Sequence, residues 1–239
     1  MSAGMLSVAR RWWHDFVSLF FPEVCVVCGR RLVAGEEAVC LVCDCGMPRT
    51  GFHLDADNQL YYRLICRHPL ERAAAMMHYS RHSPYSSVII TAKYHGRSEI
   101  ARIVGRRYAA EMAPCGFFSG VDALVPVPMH WWKKARRGYN QAEVVAEGVS
   151  EATGIPVIHD AMRAARHATQ TRKDAAGRMA NARRIYSVCN PALLEGKHIM
   201  LVDDVITTGA TITACCEAIH KSVGNCRVSV LALAATVSG

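Results

Sequence analysis

Two segments of the chain show the helical spacing of apolar positions. In residues 140–153, apolar side chains recur at intervals of three and four residues, which predicts an amphipathic helix that ends at Gly154. Residues 211–223 have the same spacing, and this second predicted helix ends at Gly224. The predicted core-facing positions are Ala142, Val145, Ala146 and Val149 in the first helix and Ile212, Cys216, Ile219 and Val223 in the second.

Short β-rich runs alternate with helical segments. Near-continuous apolar runs such as "HIMLV" at residues 198–202 are typical of strands that are covered on both faces. Because strands and helices alternate from about residue 84 onward, we predict an α/β fold with a mostly parallel sheet flanked by helices. Ligands of such sheets bind beyond the carboxyl ends of the strands. The other predicted elements are strands at residues 121–128, 155–158 and 227–236, and a helical region at residues 86–112 that is interrupted at His95–Gly96.

These patterns divide the 239 residues into four regions. We predict an amphipathic helix in residues 1–22, a cysteine-rich module in residues 23–50, a connecting segment in residues 51–83 and the α/β domain in residues 84–239. Within the connecting segment, residues 73–79 are either a strand or a helix that enters the main domain. No apolar run approaches the roughly 18 residues of a membrane-spanning helix, and no cleavage pattern follows the short apolar run of the first region. We therefore expect a cytoplasmic protein without a transmembrane segment.

Positive charge is concentrated in one part of the chain. The formal net charge is +8, and residues 163–184 contain seven basic residues and a single acidic residue, Asp174. Such a run is typical either of a solvated surface loop or of a loop that contacts phosphates, on a small ligand or on nucleic acid. Composition leaves both interpretations open.

Five of the eleven cysteines lie between residues 25 and 45. They include two Cys-x-x-Cys pairs, each of which forms a tight turn that directs two sulfurs to one point. Four thiolates form the tetrahedral shell that Zn²⁺ prefers. We predict a structural zinc site, with buried reduced cysteines or a redox pair as the alternatives. The predicted ligands are Cys25, Cys28, Cys40 and Cys43, with Cys45 as an alternative to Cys43.

The stretch "HIMLVDDVITTGATIT" at residues 198–213 combines a strand with polar side chains. Asp203 and Asp204 end the predicted strand, and a Thr-Thr-Gly-Ala-Thr turn leads into a helix that begins near Thr211. Backbone N–H groups at a helix start, together with glycine and hydroxyl side chains, favour phosphate binding. Two neighbouring carboxylates accept hydrogen bonds from ribose hydroxyls, directly or through Mg²⁺. The stretch therefore predicts a ribose 5-phosphate site, without the lysine of a Walker A loop.

The same stretch resembles the phosphoribosyl-pyrophosphate (PRPP) motif of type I phosphoribosyltransferases. The segments "VPVPMHWWKKARRGYNQAEVVA" and "TQTRKDAAGRMANARRIY" are similar to the ComF family of phosphoribosyltransferase-like proteins. That family carries an amino-terminal zinc module and is associated with competence and DNA uptake. Many members have a second pair of Cys-x-x-Cys motifs, of which only Cys45 and Cys66 remain here, so the resemblance does not predict a second metal.

The resemblance implies a role for each part of the site, with Mg²⁺ near the acidic pair. Asp203 and Asp204 would hold the ribose hydroxyls, and Arg137 would stabilise the pyrophosphate as its negative charge grows. The residues implied to bind the 5-phosphate are Thr207, Thr208, Gly209, Ala210 and Thr211. Those implied to receive the pyrophosphate lie, with Arg137, in a predicted loop after Val127 and are Lys133, Lys134, Arg136 and Gly138. Arg172, Lys173 and Arg178 are implied to close over the site.

Two functions are compatible with this motif. The first is transfer of the phosphoribosyl group from PRPP to an unidentified nitrogen base. The second is that of a catalytically silent protein that binds PRPP or a nucleotide and contacts single-stranded DNA, or a DNA-uptake partner, through its basic surface. Trp131 and Trp132 either stack on a base or pack against the fold. We favour the transferase, and the sequence indicates neither the acceptor nor the oligomeric state.

Overall fold

The computed structural model describes residues 23–94, 97–164 and 185–236. The predicted helix in residues 1–22, the predicted break at His95–Gly96 and most of the basic run at residues 163–184 lie outside these ranges. The chain divides into two compact units, Met1–Met47 and Pro48–Gly239. Within the described ranges, no helix combines the length and the apolar character needed to cross a lipid bilayer.

In residues 23–47, the described part of the first unit, tight turns surround the cysteines. Isolated antiparallel bridges pair Val24 with Arg31 and Glu37 with Val39, and one short helix, α1 (Leu41–Cys45), follows them. Segments this short rarely form a hydrophobic core of their own, and a bound metal commonly stabilises them.

The second unit alternates strands and helices along the chain. Its strands are β1 (Ala73–His78), β2 (Ala123–Pro126), β3 (Met162–Ala164), β4 (Tyr186–Val188), β5 (His198–Ile206) and β6 (Arg227–Ala235). Its helices are α2 (Gln59–Ile65), α3 (Ser86–Tyr94), α4 (Ser98–Met112), α5 (Trp131–Arg137), α6 (Gln141–Thr153) and α7 (Ala210–Ser222). Short 3₁₀ turns occur at Phe52–Leu54, Ala113–Cys115 and Pro191–Leu193.

Four strands form a parallel sheet in the order β1-β6-β5-β2. A further parallel bridge joins Leu124 to Val157, within the segment where the sequence predicts a brief strand. β3 and β4 form a separate antiparallel ribbon of two strands. The predicted α/β fold with a mostly parallel sheet is confirmed.

Helices cover both sides of the sheet, because alternate residues of its central strands face opposite sides. On one side, Ile199 and Leu201 of β5 belong to a buried cluster that includes residues of α2 and α7. Their neighbours Met200 and Val202 are also buried, and α6 packs against β2 and β5 while α4 packs against α6. The carboxyl edge of the sheet is therefore the place where a ligand can reach the strands.

Two features differ from the expectation based on sequence. Residues 51–83, predicted as a connecting segment, contain α2 and the edge strand β1, which pairs with β6. The β1 sequence "AAAMMH" has low strand propensity, but burial in the sheet outweighs that preference. β5 also continues past the two aspartates to Ile206, because β6 is long enough to pair with it as far as Ala235.

α4 and α6 approach each other closely at two glycines. A Cβ atom on Gly148 of α6 would lie 2.1 Å from the carbonyl oxygen of Arg102 in α4. A Cβ atom on Gly105 of α4 would lie 2.9 Å from the carbonyl oxygen of Val145 in α6. Backbone atoms cannot rotate away as side chains do, so this helix packing depends on both glycines.

We expect Gly148→Ala to lower the free energy of unfolding by about 3 kcal/mol, because the added methyl group forces two packed helices apart. The measurement is a urea titration followed by circular dichroism. Gly224→Ala is the matched control, since its Cβ would meet only a side-chain oxygen of Glu195 at 3.9 Å. We expect the control to stay within about 0.5 kcal/mol of the wild type. Wild-type stability of the Gly148 variant would contradict the close packing.

Candidate ligand cavity and cysteine cluster

A cavity of about 390 Å³ lies where the carboxyl ends of β2 and β5 meet. Its lining comes from six parts of the chain: the end of α3, the segment after β2, the start of α6, the β3–β4 ribbon, the end of β5 and the start of α7. A parallel sheet brings such distant segments together at one edge. The polar lining includes Lys93, Lys133, Arg137, Gln141, Tyr186, Asp203, Asp204 and Thr211.

Asp203 and Asp204 lie side by side near the end of β5. The Asp204 N–H donates to Asp203 Oδ1, and the Val205 N–H donates to Asp204 Oδ1, each at 2.8 Å. The backbone thus holds one oxygen of each carboxylate and leaves the second oxygen for another partner. Thr211 of the predicted phosphate loop lines the same cavity as the two aspartates.

Lys93, in the last turn of α3, is a partner of Asp204 that the sequence analysis did not identify. Its Nζ lies 2.6 Å from Asp204 Oδ2, with 21% of the lysine side chain and 17% of the aspartate side chain exposed. Partial burial makes this attraction stronger than that of a fully solvated pair. No spacing rule could predict the contact, because the two residues are far apart along the chain.

Burial raises the pKa of Asp203 well above its ordinary value, and the charge of Asp204 raises it further. The N–H of Asp204 and the ammonium of Lys93 partly oppose this effect on the Asp203 pKa. The pair offers only carboxylate oxygens, the donor type that Mg²⁺ prefers, and a cation would favour the ionised form of both acids. The acidic pair therefore fits Mg²⁺, which commonly takes one or two carboxylates from a protein and its other ligands from water or phosphate.

The predicted phosphate loop connects β5 to α7. Gly209 precedes the helix with a φ of 76°, and Thr208 Oγ1 accepts a hydrogen bond from the Ala210 N–H at 3.3 Å. The Thr207 carbonyl accepts a hydrogen bond from Arg63 Nη1 of α2 at 2.8 Å. Arg63 was not identified from the sequence. Arg63 thus holds in place the loop that leads into α7, a helix of 13 residues. The backbone N–H groups of the first turn of α7 adjoin this loop, and such groups favour anion binding.

Glycine is required at position 209 by both conformation and space. A positive φ is uncommon for residues with a side chain. In addition, a Cβ atom on Gly209 would lie 2.5 Å from Leu64 Cδ2 of α2. A larger residue would therefore displace either the loop or the leucine beneath it.

The basic segment after β2 forms a helix, α5, rather than the predicted loop. The helix ends at Gly138, which has a φ of 84°. Lys133 and Arg137 line the cavity, whereas Lys134 pairs with a glutamate of α6 at 3.3 Å and Arg136 is exposed. Residues four apart share one face of a helix, so α5 can direct Lys133 and Arg137 to the cavity together. Of the five predicted pyrophosphate residues, these two belong to the lining.

Two polar residues at the start of α6 organise this side of the cavity. Asn140 caps the helix, and its Nδ2 donates to the Val127 carbonyl at 3.0 Å, which ties α6 to the end of β2. Gln141 is 1% exposed, and its Oε1 accepts a hydrogen bond from Arg137 Nη1 at 2.9 Å. Its Nε2 forms no hydrogen bond of normal geometry with any described residue. A buried donor without a partner is unfavourable unless a ligand accepts from it.

Tyr186 of β4 is a further lining residue that the sequence analysis did not identify. Burial raises the pKa of Tyr186 to about 12, and interaction with the Thr211 hydroxyl offsets part of this shift. The phenol therefore stays protonated at neutral pH and can donate a hydrogen bond. Tyr186 ends the segment "TQTRKDAAGRMANARRIY" that resembles the ComF family, but the resemblance assigns this tyrosine no role, so the fold is needed to identify it. The predicted closing residues Arg172, Lys173 and Arg178 lie outside the described residues.

The four predicted cysteine ligands form one cluster in the first unit. Their Sγ atoms all lie within 4.8 Å of one another, and Cys28 Sγ lies 3.7 Å from Cys40 Sγ. Tetrahedral zinc with Zn–S distances of about 2.3 Å separates its sulfurs by about 3.8 Å, so the cluster has the size that zinc needs. Cys45 is exposed and lies outside the cluster, and Cys43 is its fourth member.

Hydrogen bonds shape both Cys-x-x-Cys turns. The Gly29 N–H donates to the Cys25 carbonyl and the Asp44 N–H donates to the Cys40 carbonyl, each at 2.9 Å. The backbone N–H of Cys43 lowers the pKa of Cys40 to about 6, whereas burial raises the pKa of Cys43. A bound cation would favour the thiolate form of all four. All eleven cysteines of the chain are unpaired thiols.

Neutralising Asp203 should stabilise the fold above acidic pH. Asp203→Asn keeps an oxygen that accepts from the Asp204 N–H but removes a buried charge. Folding raises the pKa of Asp203, so the carboxyl ionises less readily in the folded state than in the unfolded state. The free energy of unfolding of the wild type therefore falls as pH rises above the unfolded-state pKa of 3.8. We expect the variant to melt about 3 °C higher than the wild type at pH 8, which corresponds to about 1 kcal/mol, and to approach the wild type near pH 4. Scanning calorimetry measures this difference, and an equal or lower melting temperature at pH 8 would refute it.

Comparison with known proteins agrees with this geometry. Residues 117–238, about half of the chain, match the family model described as "Phosphoribosyl transferase domain". DNA utilization protein YhgH of Escherichia coli (strain K12) is 28% identical over 92% of this chain and 100% of its own length. Competence protein F of Haemophilus influenzae is 26% identical over 84% of this chain and 93% of its own length. Competence protein ComFC of Bacillus subtilis (strain 168) is 25% identical over 80% of this chain and 75% of its own length.

Among solved structures, the chain is similar to a glutamine phosphoribosylpyrophosphate (PRPP) amidotransferase from B. subtilis complexed with ADP and GMP. The two proteins are 24% identical, with a TM-score of 0.41. The matched region covers 56% of this chain and 26% of that enzyme. The family model covers both the acidic pair and the phosphate loop at residues 207–211. The chain therefore belongs to the phosphoribosyl transferase domain family and is a ComF-family phosphoribosyltransferase-like protein.

Proposed function

We propose that the protein binds PRPP together with Mg²⁺ and transfers the phosphoribosyl group to a nitrogen base. The observation that carries this proposal is the shared cavity, which the two aspartates, Thr211, Lys133 and Arg137 line together. PRPP combines a ribose diol, a 5-phosphate and a pyrophosphate. Carboxylates suit the diol, hydroxyl and N–H groups suit the phosphate, and cations suit the pyrophosphate.

Binding places each part of PRPP against a different element. Asp203 and Asp204 accept hydrogen bonds from the ribose hydroxyls. The 5-phosphate lies against the loop at residues 207–211, where the N–H groups and the dipole of α7 favour an anion. When bound, Mg²⁺ neutralises charge on the pyrophosphate beside the acidic pair.

Transfer moves negative charge onto the leaving group. The C1–O bond to pyrophosphate breaks and the pyrophosphate leaves with the electron pair, while a C1–N bond forms to the base, which then loses a proton. Lys133 and Arg137 stabilise the growing charge from within the cavity. Gln141 Nε2 is a further donor for this group, since it makes no hydrogen bond of normal geometry with the described residues. Closure by Arg172, Lys173 and Arg178 over the pyrophosphate rests on the family resemblance alone.

A role in DNA use follows from the relatives. DNA utilization protein YhgH and Competence protein F align with most of this chain, and we infer that the PRPP site serves DNA uptake or use here as well. A thiol cluster that binds metal requires reducing conditions, which supports a cytoplasmic location.

A second candidate function is binding of single-stranded DNA, with a PRPP or nucleotide site that has no turnover. α5 exposes Trp131 (54%) and Trp132 (47%), and Lys133 Nζ lies 5.5 Å from the centroid of the Trp132 ring. Tryptophans beside cations can stack on unpaired bases and contact phosphates. This surface favours the second candidate without excluding the first.

Pyrophosphate release distinguishes the two candidates. With PRPP, Mg²⁺ and a panel of purine and pyrimidine bases, we expect release that depends on at least one base. We also expect Asp204→Asn to weaken PRPP binding at least about tenfold, because hydrogen bonds to a charged acceptor are worth about 1.5–3 kcal/mol. A coupled phosphate assay measures release, and titration calorimetry measures affinity.

Asp57→Asn is the control for this experiment, because Asp57 is an exposed residue that does not line the cavity. Unchanged PRPP affinity in the Asp204 variant would contradict the assigned role of the acidic pair. PRPP binding without base-dependent release, together with oligodeoxynucleotide binding that weakens as salt rises, would favour the second candidate.

The cysteine cluster is proposed to bind one structural Zn²⁺. Four sulfurs complete the tetrahedral shell, so no position stays open for a substrate. We expect Cys40→Ser to lose the metal and to make the first unit sensitive to protease, because metal binding contributes the folding energy of small modules. Cys45→Ser is the matched control and should keep about one zinc per chain, since Cys45 lies outside the cluster. Metal analysis of the purified proteins checks this, and wild-type zinc content in the Cys40 variant would refute it.

A further inference from the structure

The ion pair between Lys93 and Asp204 places a fixed cation at the acidic pair. Lys93 Nζ lies 2.6 Å from Asp204 Oδ2, and both residues line the cavity. Each side chain is about four-fifths buried, so solvent screens the pair only weakly. Lys93 precedes the matched residues 117–238, so the family match assigns it no role.

The acidic pair has few other groups with which to hold a metal. In the part of the chain that the structure describes, no third His, Cys, Asp or Glu joins Asp203 and Asp204 in a metal-binding group. A divalent cation there depends on both carboxylates and on oxygens from water or a ligand. To reach Asp204 it must displace the ammonium of Lys93 or share one carboxylate with a like charge, which is unfavourable at this distance.

We propose that Lys93 is the resident counterion of the acidic pair: it holds Asp204 in the ligand-free protein and disfavours the binding of a divalent cation without the sugar phosphate. The second half of this role rests on the proposed function. PRPP brings phosphates that give the ammonium another anionic partner, so that cation and sugar bind together. Lys133 and Arg137 line the same cavity and add to the positive field that opposes a free cation.

A purely structural contact between α3 and β5 makes a different prediction. Its loss would lower the stability of the protein without strengthening the binding of a divalent cation. A resident counterion competes with that cation, so its loss must strengthen binding. Metal affinity in the absence of sugar therefore separates the two roles.

The test is a calorimetric titration with Mn²⁺ alone, using full-length protein of measured zinc content. We expect Lys93→Met to bind Mn²⁺ at least about fivefold more tightly than the wild type, because it removes a competing charge. Lys93→Arg keeps the charge and should stay within about twofold. Lys221→Met is the matched control, since Lys221 pairs with Glu217 at 2.8 Å on the surface of α7, and its Mn²⁺ affinity should not change.

A double variant tests whether the effect passes through Asp204. In an Asp204→Asn background, adding Lys93→Met should change Mn²⁺ affinity by less than about twofold, because the pair is already broken. Unchanged or weaker Mn²⁺ binding by Lys93→Met would overturn the proposal, and so would an equal gain in the Asn background. Circular dichroism confirms folding of each variant, and Lys93→Gln replaces the methionine variant should that one fail to fold.

Failure of the proposed function gives a different pattern. A wild-type protein that does not bind PRPP with Mg²⁺ would refute the proposed function, while Mn²⁺ alone would still report the competition at Asp204. Normal PRPP binding combined with unaltered Mn²⁺ affinity in the Lys93→Met variant would refute the counterion role alone.

Discussion

Placing two adjacent carboxylates in a partly buried cavity constrains the rest of this site. Desolvation and mutual repulsion both oppose ionisation of Asp203 and Asp204 on a strand that helices enclose. Backbone N–H groups satisfy one oxygen of each, and Lys93 satisfies the second oxygen of Asp204. The ionised form of the acidic pair is therefore stable only when hydrogen-bond donors and cations surround it. For the same reason, the pair favours the binding of a ligand that supplies both donors and a cation.

The parallel sheet brings these partners to the pair. β2 and β5 are adjacent and parallel, so the segments that follow them begin at the same edge. Asn140 links α6 to the Val127 carbonyl after β2, and Arg63 bonds to the Thr207 carbonyl after β5. These contacts position both segments before a ligand binds, which reduces the entropy lost on binding.

Features with a local signature could be predicted from the sequence, and features that depend on distant segments could not. Helical spacing predicts α6 and α7, and the cysteine spacing predicts the cluster. No sequence pattern assigns a role to Lys93 or Tyr186, and they become part of the cavity only because the fold brings α3 and β4 to it. The sequence left the alanine-rich β1 open as a strand or a helix, and its burial in the sheet, which overrides propensity, decides for the strand. Within the basic segment, composition could not separate the residues of α5 that line the cavity from those that do not, since this depends on helical periodicity.

The charges that hold the site in place come partly from outside the segment that the family model matches. Residues 117–238 supply the acidic pair, the phosphate loop and α5, whereas Lys93 and Arg63 belong to α3 and α2, which precede them. Family membership thus accounts for the groups that can hold a phosphorylated sugar. It does not account for the cationic side chains that contact those groups before a ligand binds. Because Lys93 contacts Asp204 and Arg63 contacts the Thr207 carbonyl, the electrostatics of the site depend on the preceding segment. Two chains with the same motif can therefore differ in how strongly, and in what order, they bind a metal and a sugar phosphate.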